Sequence, residues 1–131
     1  MNQQELDIAA KHLLIAAIWA DAPEGTNPRA SANAKREALS IVTQFAIHMG
    51  VNTWEQVKAC KGYGSHPDAG TPAAALGHDI YLTCAGHGAG FFDRNELDPQ
   101  LREALTRLCG WRSPMGELNA SFYRGWLQTF D

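Results

Sequence analysis

A chain of 131 residues, 45% apolar and 19% charged, has the size and composition of a single globular domain, which excludes a disordered or low-complexity protein. Eleven basic against fourteen acidic residues leave a net charge of −3. That balance argues against direct nucleic-acid binding as a function, because displacing counterions from phosphates takes a basic surface.

Cys60, Cys84 and Cys109 are odd in number and widely spaced, so they read as reduced thiols of a cytoplasmic protein rather than a disulfide framework. Residues 1–5 lack the basic start of a signal peptide, and the apolar run 13–20 is too short to span a bilayer. A cytoplasmic protein with no membrane partner is expected. Arg102, Arg107, Arg112 and Arg124 concentrate basic charge in the last third, where they read as solvated edges of helices and strands.

Leu6, Ala9, Ala10, Leu13, Leu14, Ala17 and Ile18 recur at helical spacing and predict a first helix ending near Asp21, before Ala22-Pro23-Glu24-Gly25. Asn27-Pro28 supplies a cap and a first-turn proline for a second helix. Its apolar stripe is Leu39, Val42, Phe45, Ala46 and Met49, and Gly50 ends it. Thr53 to Gln56 has the form of a capping box for a short third helix carrying Trp54 and Val57. The glycine- and proline-bearing stretch 61–70 predicts a surface loop, and Thr71-Pro72 starts one brief turn stopped by Gly77.

Residues 78–94 then predict a β-hairpin. Ile80, Leu82 and Cys84 alternate with Asp79, Tyr81 and Thr83, Gly86 and Gly88 supply a tight tip, and 89–93 return as the second strand. Asp98-Pro99 starts a last helix with Leu101, Ala104, Leu105 and Leu108 inside, ended by Gly110. Residues 121–127 follow as a final strand. The fold class implied is α+β: one domain over 1–131, mainly helical over 1–60 and strand-strand-helix-strand over 78–131. A helical hairpin and a C-terminal helix would cover one face of a small antiparallel sheet of about three strands.

The run Gly77-His78-Asp79-Ile80-Tyr81-Leu82-Thr83, followed by Gly86-His87-Gly88-Ala89-Gly90-Phe91-Phe92-Asp93-Arg94, resembles a stretch shared by a family of small uncharacterised tailed-phage proteins. That stretch reads Gly-His-Asp-Phe-Trp-Leu-Thr-Arg-Asn-Gly-His-Gly-Ala-Gly-Phe-Trp-Asp-Arg. Cys84 and Ala85 stand where the family has Arg-Asn. The resemblance implies a phage origin and a fold with two helices before the motif and a helix and strand after it; it implies no reaction.

His78, Cys84, His87, Cys60 and His66 are potential metal ligands, but a regular hairpin holds His78 and His87 apart, so no metal or other cofactor is expected. A Cys84–His87 nucleophile oriented by Asp93 competes with Cys84 as a small core residue, and no catalytic residue is assigned. The glycines at 86, 88 and 90 shape a turn more economically than they cradle a phosphate, because no helix N-terminus follows. His78, Asp79, Asp93 and Arg94 form either an acid–base site or a polar clamp in which Arg94 pairs with Asp79. The clamp is the simpler reading.

A binding surface ranks first. Tyr81, Phe92, Phe122, Tyr123 and Trp126 are more aromatics than one buried sheet face needs, whereas Trp19, Trp54 and Trp111 read as core anchors. The candidate binding residues are Tyr81, His87, Phe92, Asp93, Arg94, Tyr123 and Trp126. The partner expected is a host or phage protein, or a second copy of the chain as a homodimer. Small acidic phage proteins without a catalytic constellation include inhibitors of host defence such as anti-CRISPR proteins. The alternative is a small enzyme or ligand- or nucleotide-binding domain using His78, His87 and Asp93.

Overall fold

Residues 1–65 and 70–131 are described by the computed structural model; the expected loop at 61–70 and the potential ligand His66 fall partly or wholly outside them. Helix α1 (Gln3–Asp21) starts in a capping box in which the Asn2 side chain accepts from the Glu5 N–H and Glu5 accepts from the Asn2 N–H. It ends at Asp21, as the sequence implies. Strand β1 (Arg29–Ala30) comes next, and α2 (Ala32–Met49) begins four residues later than Asn27-Pro28 suggests. Ser31 is the working cap, its hydroxyl accepting from the Ala34 N–H. Arg29 and Ala30 are drawn into strand because β3 offers them a ladder.

Gly50, at φ +82°, ends α2 and opens α3 (Val51–Ala59) directly, so the expected Thr53 start lies inside the helix. Trp54 and Val57 are buried as expected, and the Trp54 indole donates to Glu5.

The predicted β-hairpin is absent. Residues 72–84 form helix α4 (Pro72–Cys84), capped by Thr71. Two features of the sequence hid it. Gly77 reads as a stop, but it lies mid-helix, where α1 crosses: a Cβ there would stand 2.1 Å from the Ala9 carbonyl oxygen. Ala9, Ala10, Ala16 and Ala17 of α1 and Ala73 and Ala74 of α4 are all buried, and these small side chains let the backbones approach. The second feature is that α4 is buried on nearly every side, Tyr81 and Asp79 included. A helix with no exposed face has no 3.6-residue period, so the alternation in 79–84 carries no strand information.

The glycine tip is a helix end. The His87 N–H bonds the Leu82 carbonyl and the Gly86 N–H bonds the Thr83 carbonyl, with Gly86 at φ +75°, which is the Schellman pattern. The return segment is a 3-10 turn (Phe91–Asp93) rather than a strand. Helix α5 (Pro99–Thr106) starts after Asp98 as expected and buries Leu101 and Leu105; its main contacts are with the 3-10 turn and α3.

The expected last strand is two strands, β2 (Ala120–Tyr123) and β3 (Trp126–Phe130). Arg124 (φ +49°) and Gly125 (φ +83°) join them with both central residues left-handed, the requirement of a two-residue hairpin turn. The three-stranded sheet has the order β1-β3-β2 and is mixed, since β1 runs parallel to β3 and β2 antiparallel. Helix α2 is tied to β3 through Glu37, which accepts from the Thr129 hydroxyl and the Phe130 N–H. Phe130 packs edge-on against Tyr81. The fold is therefore α+β: α2 packs on the small sheet, whereas α5, expected to cover it, packs on the 3-10 turn and α3, and of the expected strands 121–127 alone overlaps the sheet.

Candidate functional site

Residues 77–94 form the last two turns of α4, its Schellman end and the 3-10 turn. Asp79 is 1% exposed and holds two partners: it accepts from the Tyr63 hydroxyl at 2.8 Å and from Arg94, with Nη2 at 2.7 Å and Nε at 2.9 Å. Burial pushes the Asp79 carboxyl above its ordinary value against the pull of Arg94, and burial with the adjacent carboxylate pushes the Tyr63 hydroxyl well up. The bond to Asp79 raises the Arg94 guanidinium further. Asp93 accepts from the Gly90 N–H, and the Thr83 hydroxyl accepts from the Phe91 N–H. Gly90 is required here, because its φ is +144° and a Cβ would stand 2.2 Å from the Thr83 hydroxyl oxygen. Phe91 is buried and stacks on Phe45 of α2. Arg94 thus pairs with Asp79 as the polar clamp requires, although no hairpin carries it and Asp93 closes the turn before it, not the one after.

The histidines do not converge. His78 Nε2 lies 3.1 Å from His12 Nδ1 of α1, while His87 Nε2 lies 2.9 Å from Asp21 Oδ2, also of α1. Nine residues separate His12 from Asp21 on one helix, which is about 14 Å along its axis. Asp93 faces Gly90, so an acid–base site of His78, His87 and Asp93 has no common centre. Burial, with Lys11 nearby, lowers the His12 imidazole from its ordinary value. Asp21 also accepts from the Tyr81 hydroxyl, which burial and then Asp21 push upward. This Asp21–His87–Tyr81 contact fastens the end of α1 to the end of α4. An Asp–His pair can relay a proton, but the hydroxyl bonded to this one is the Tyr81 phenol, whose ionisation burial and Asp21 oppose. His12 and Asp21 lie outside the buried stripe of α1, and no spacing in the sequence marks either.

Cys84 is buried, as its core reading requires, and the neighbouring Cys84 thiol and burial push Cys109 far above a reactive range. Among the described residues no group of three or more His, Cys, Asp or Glu side chains is placed to hold a metal ion. No helix among them is long and apolar enough to cross a membrane.

The aromatics divide differently from the expectation. Tyr81 is fully buried in α4, which removes its ring from the candidate surface. Trp54 is a core anchor, but Trp19 (79% exposed) and Trp111 (74%) are not: each extends from the surface, Trp111 beneath the Arg112 guanidinium. Tyr123 and Trp126 are exposed and directly paired across β2 and β3, and Arg29 pairs with Trp126 across β1 and β3. Paired residues share a face. Arg29, Trp126 and Tyr123 therefore form one outward row, with Ala30, Leu127 and Phe122 as the row facing the helices. Arg124 at the turn stacks on Tyr123, 5.1 Å from the ring centroid.

A non-glycine residue in the left-handed region costs roughly 1 kcal/mol, and here that conformation brings a guanidinium over an aromatic ring. The Tyr-Arg-Gly-Trp run, with glycine at the second turn position between two aromatics, is the sequence signal for this tip. Phe92 is also exposed and borders a shallow depression of about 350 Å³ against α5. Comparison with family models, with curated proteins and with solved structures finds no match to this chain.

Proposed function

We propose that this is a phage-type accessory protein that works by binding another protein in the cytoplasm of a host cell, as an inhibitor of a host defence system in the manner of anti-CRISPR proteins. The observation that carries the binding reading is the outward row Arg29–Trp126–Tyr123 with Arg124 stacked on Tyr123. Trp, Tyr and Arg are the side chains that most often supply the energy of an interface. Here four of them share one sheet end, presented by a hairpin whose turn is in a costly conformation. The phage setting rests on the motif resemblance at 77–94 alone. The reading through His78, His87 and Asp93 draws no support from their separate placements.

The test is capture from a bacterial host lysate by the tagged chain, compared with Tyr123→Ser/Trp126→Ser and with Trp19→Ser as an exposed aromatic elsewhere. The proposal expects a partner retained by wild type and Trp19→Ser and lost by the double variant. Equal retention by all three, or none by wild type, overturns it.

A further inference from the structure

The small sheet separates charge in a chain that is acidic as a whole. Strands β1, β2 and β3 with the turn at 124–125 contain Arg29 and Arg124 and no Asp or Glu, although the chain has fourteen acidic residues and a net charge of −3. The carboxylates that reach the sheet are already taken. Glu37 of α2 serves the Thr129 hydroxyl and the Phe130 N–H, and Asp131 serves the Ser121 hydroxyl at the end of the hairpin away from the turn. Among the described residues neither Arg29 nor Arg124 has a side-chain hydrogen bond or an ion pair. Both are exposed, and they flank the exposed rings of Trp126 and Tyr123.

The backbone supplies a second observation. Among the described residues, the non-glycine positions with positive φ are Arg112 at +62° and Arg124 at +49°, and each guanidinium lies over the aromatic ring just before it, Trp111 at 4.3 Å and Tyr123 at 5.1 Å. Strained backbone gathers at ligand clamps. A guanidinium seated on a ring has lost rotamer freedom before any partner arrives, and its N–H donors stay open to a planar acceptor. We infer that the sheet row takes an acidic segment of the partner protein, with carboxylates on Arg29 and Arg124 and an apolar side chain on Trp126 between them. This names the chemistry of the partner and rests on the proposed binding by that row. A carboxylate is the protein group that meets a guanidinium in two parallel bonds. Neighbouring strands lie about 4.8 Å apart, so Arg29 and Tyr123, on either side of Trp126, stand about 10 Å apart. The partner's carboxylates then need a similar spacing, about three residues of extended chain or about two turns of helix. A nucleic acid would also meet the repulsion of the chain's overall negative charge, which a short acidic protein segment feels less.

The test follows the side-chain Nε–H signals of Arg29 and Arg124 and the Trp126 indole N–H by NMR in the full chain. The probes are a synthetic peptide of repeating Glu-Glu-Leu, its Lys-Lys-Leu twin and a single-stranded oligothymidylate. The acidic peptide should shift all three signals saturably, half-complete at about 1 mM or below, and the lysine twin should leave them in place. Raising the ionic strength from about 0.05 M to about 0.5 M should weaken the acidic peptide at least about threefold. Arg29→Gln/Arg124→Gln keeps both rings and should weaken it about tenfold or more, with the melting temperature held within about 2 °C. No saturable shift, an equal shift by the lysine twin, tighter binding of oligothymidylate, or undiminished binding by the glutamine pair each overturns the inference. Capture from host lysate separates it from the function it rests on. A partner lost by Tyr123→Ser/Trp126→Ser but kept by Arg29→Gln/Arg124→Gln leaves the binding row standing and overturns the acidic partner, whereas a partner kept by both variants overturns both.

Discussion

Removing Arg94 should damage this protein more than removing the charge it pairs with. Asp79 is 1% exposed, and its Arg94 partner is 35% exposed at the side chain. Breaking a fully buried pair by deleting one partner costs about 3–5 kcal/mol, and an exposed pair contributes about 0–1 kcal/mol. With one end buried and one end a third exposed, Arg94→Ala falls between, at about 2–4 kcal/mol, because Asp79 stays behind without compensation. Asp79→Asn should cost less, about 1–2 kcal/mol, since Asn still accepts from Tyr63 and Arg94 can turn toward water. Tyr63→Phe removes one hydrogen bond to a buried carboxylate and should cost about 1.5–3 kcal/mol.

The pH dependence has a definite sign. The folded state holds the Asp79 carboxyl above its ordinary value of 3.8, so between that value and the folded one the native state binds more protons than the unfolded state. Stability from this group therefore rises as pH falls through that window. Arg94→Ala raises the folded value further, and its deficit should shrink as the pH is lowered from neutrality toward about 4. Urea unfolding of the three single variants and the Asp79→Asn/Arg94→Ala pair measures this. A loss below about 1 kcal/mol for Arg94→Ala, or strictly additive losses in the pair, would refute the clamp.

Gly77→Ala places a methyl 2.1 Å from the Ala9 carbonyl oxygen, backbone against backbone. It should destabilise by more than about 4 kcal/mol or prevent folding, although glycine to alanine within a helix ordinarily gains about 1 kcal/mol; a thermal melt decides. His12 has its imidazole held below the ordinary 6.5 by burial and Lys11, facing His78 of α4. A depressed histidine keeps its contribution above the unfolded value and loses it as pH falls below, so wild type should lose urea resistance as the pH falls through 6.5. His12→Gln should flatten that slope, and an unchanged slope would assign it elsewhere. Arg124→Gly relieves the left-handed turn at φ +49° and should raise stability by about 0.5–1 kcal/mol while weakening partner capture. Weaker capture without the gain in stability would mean that the turn is not strained.

Local chemistry told most where one residue acts on its neighbours. The end of α1 at Asp21, the Asp98-Pro99 start of α5, the Thr71-Pro72 start of α4 and the terminating Gly50 are legible because caps and turn residues work within one turn. What failed depends on what packs against what. Gly77 is a helix-breaker by propensity and a crossing point by contact with Ala9, and nothing near it in sequence reveals Ala9 as the partner. Burial on all sides erased the helical period of α4, leaving a false alternation. Arg29 and Ala30 become strand through pairing with residues nearly a hundred positions away. Among the site residues, the Asp79–Arg94 pair and the exposure of Phe92, Tyr123 and Trp126 agree with the sequence, whereas Tyr81 reads as a surface ring only on a strand and is buried in the helix that forms instead. Arg29, His12 and Asp21 enter only through tertiary contacts.

The central claim is that this chain recognises a partner through the outward row of its sheet and the turn that ends it. Hydrogen exchange on the complex, once a partner has been captured, tests it most directly. The account predicts slowed exchange at 120–130 and around Arg29 on binding, with the interior of α4 unchanged. Protection confined to other segments, with 120–130 exchanging as in the free chain, would contradict it.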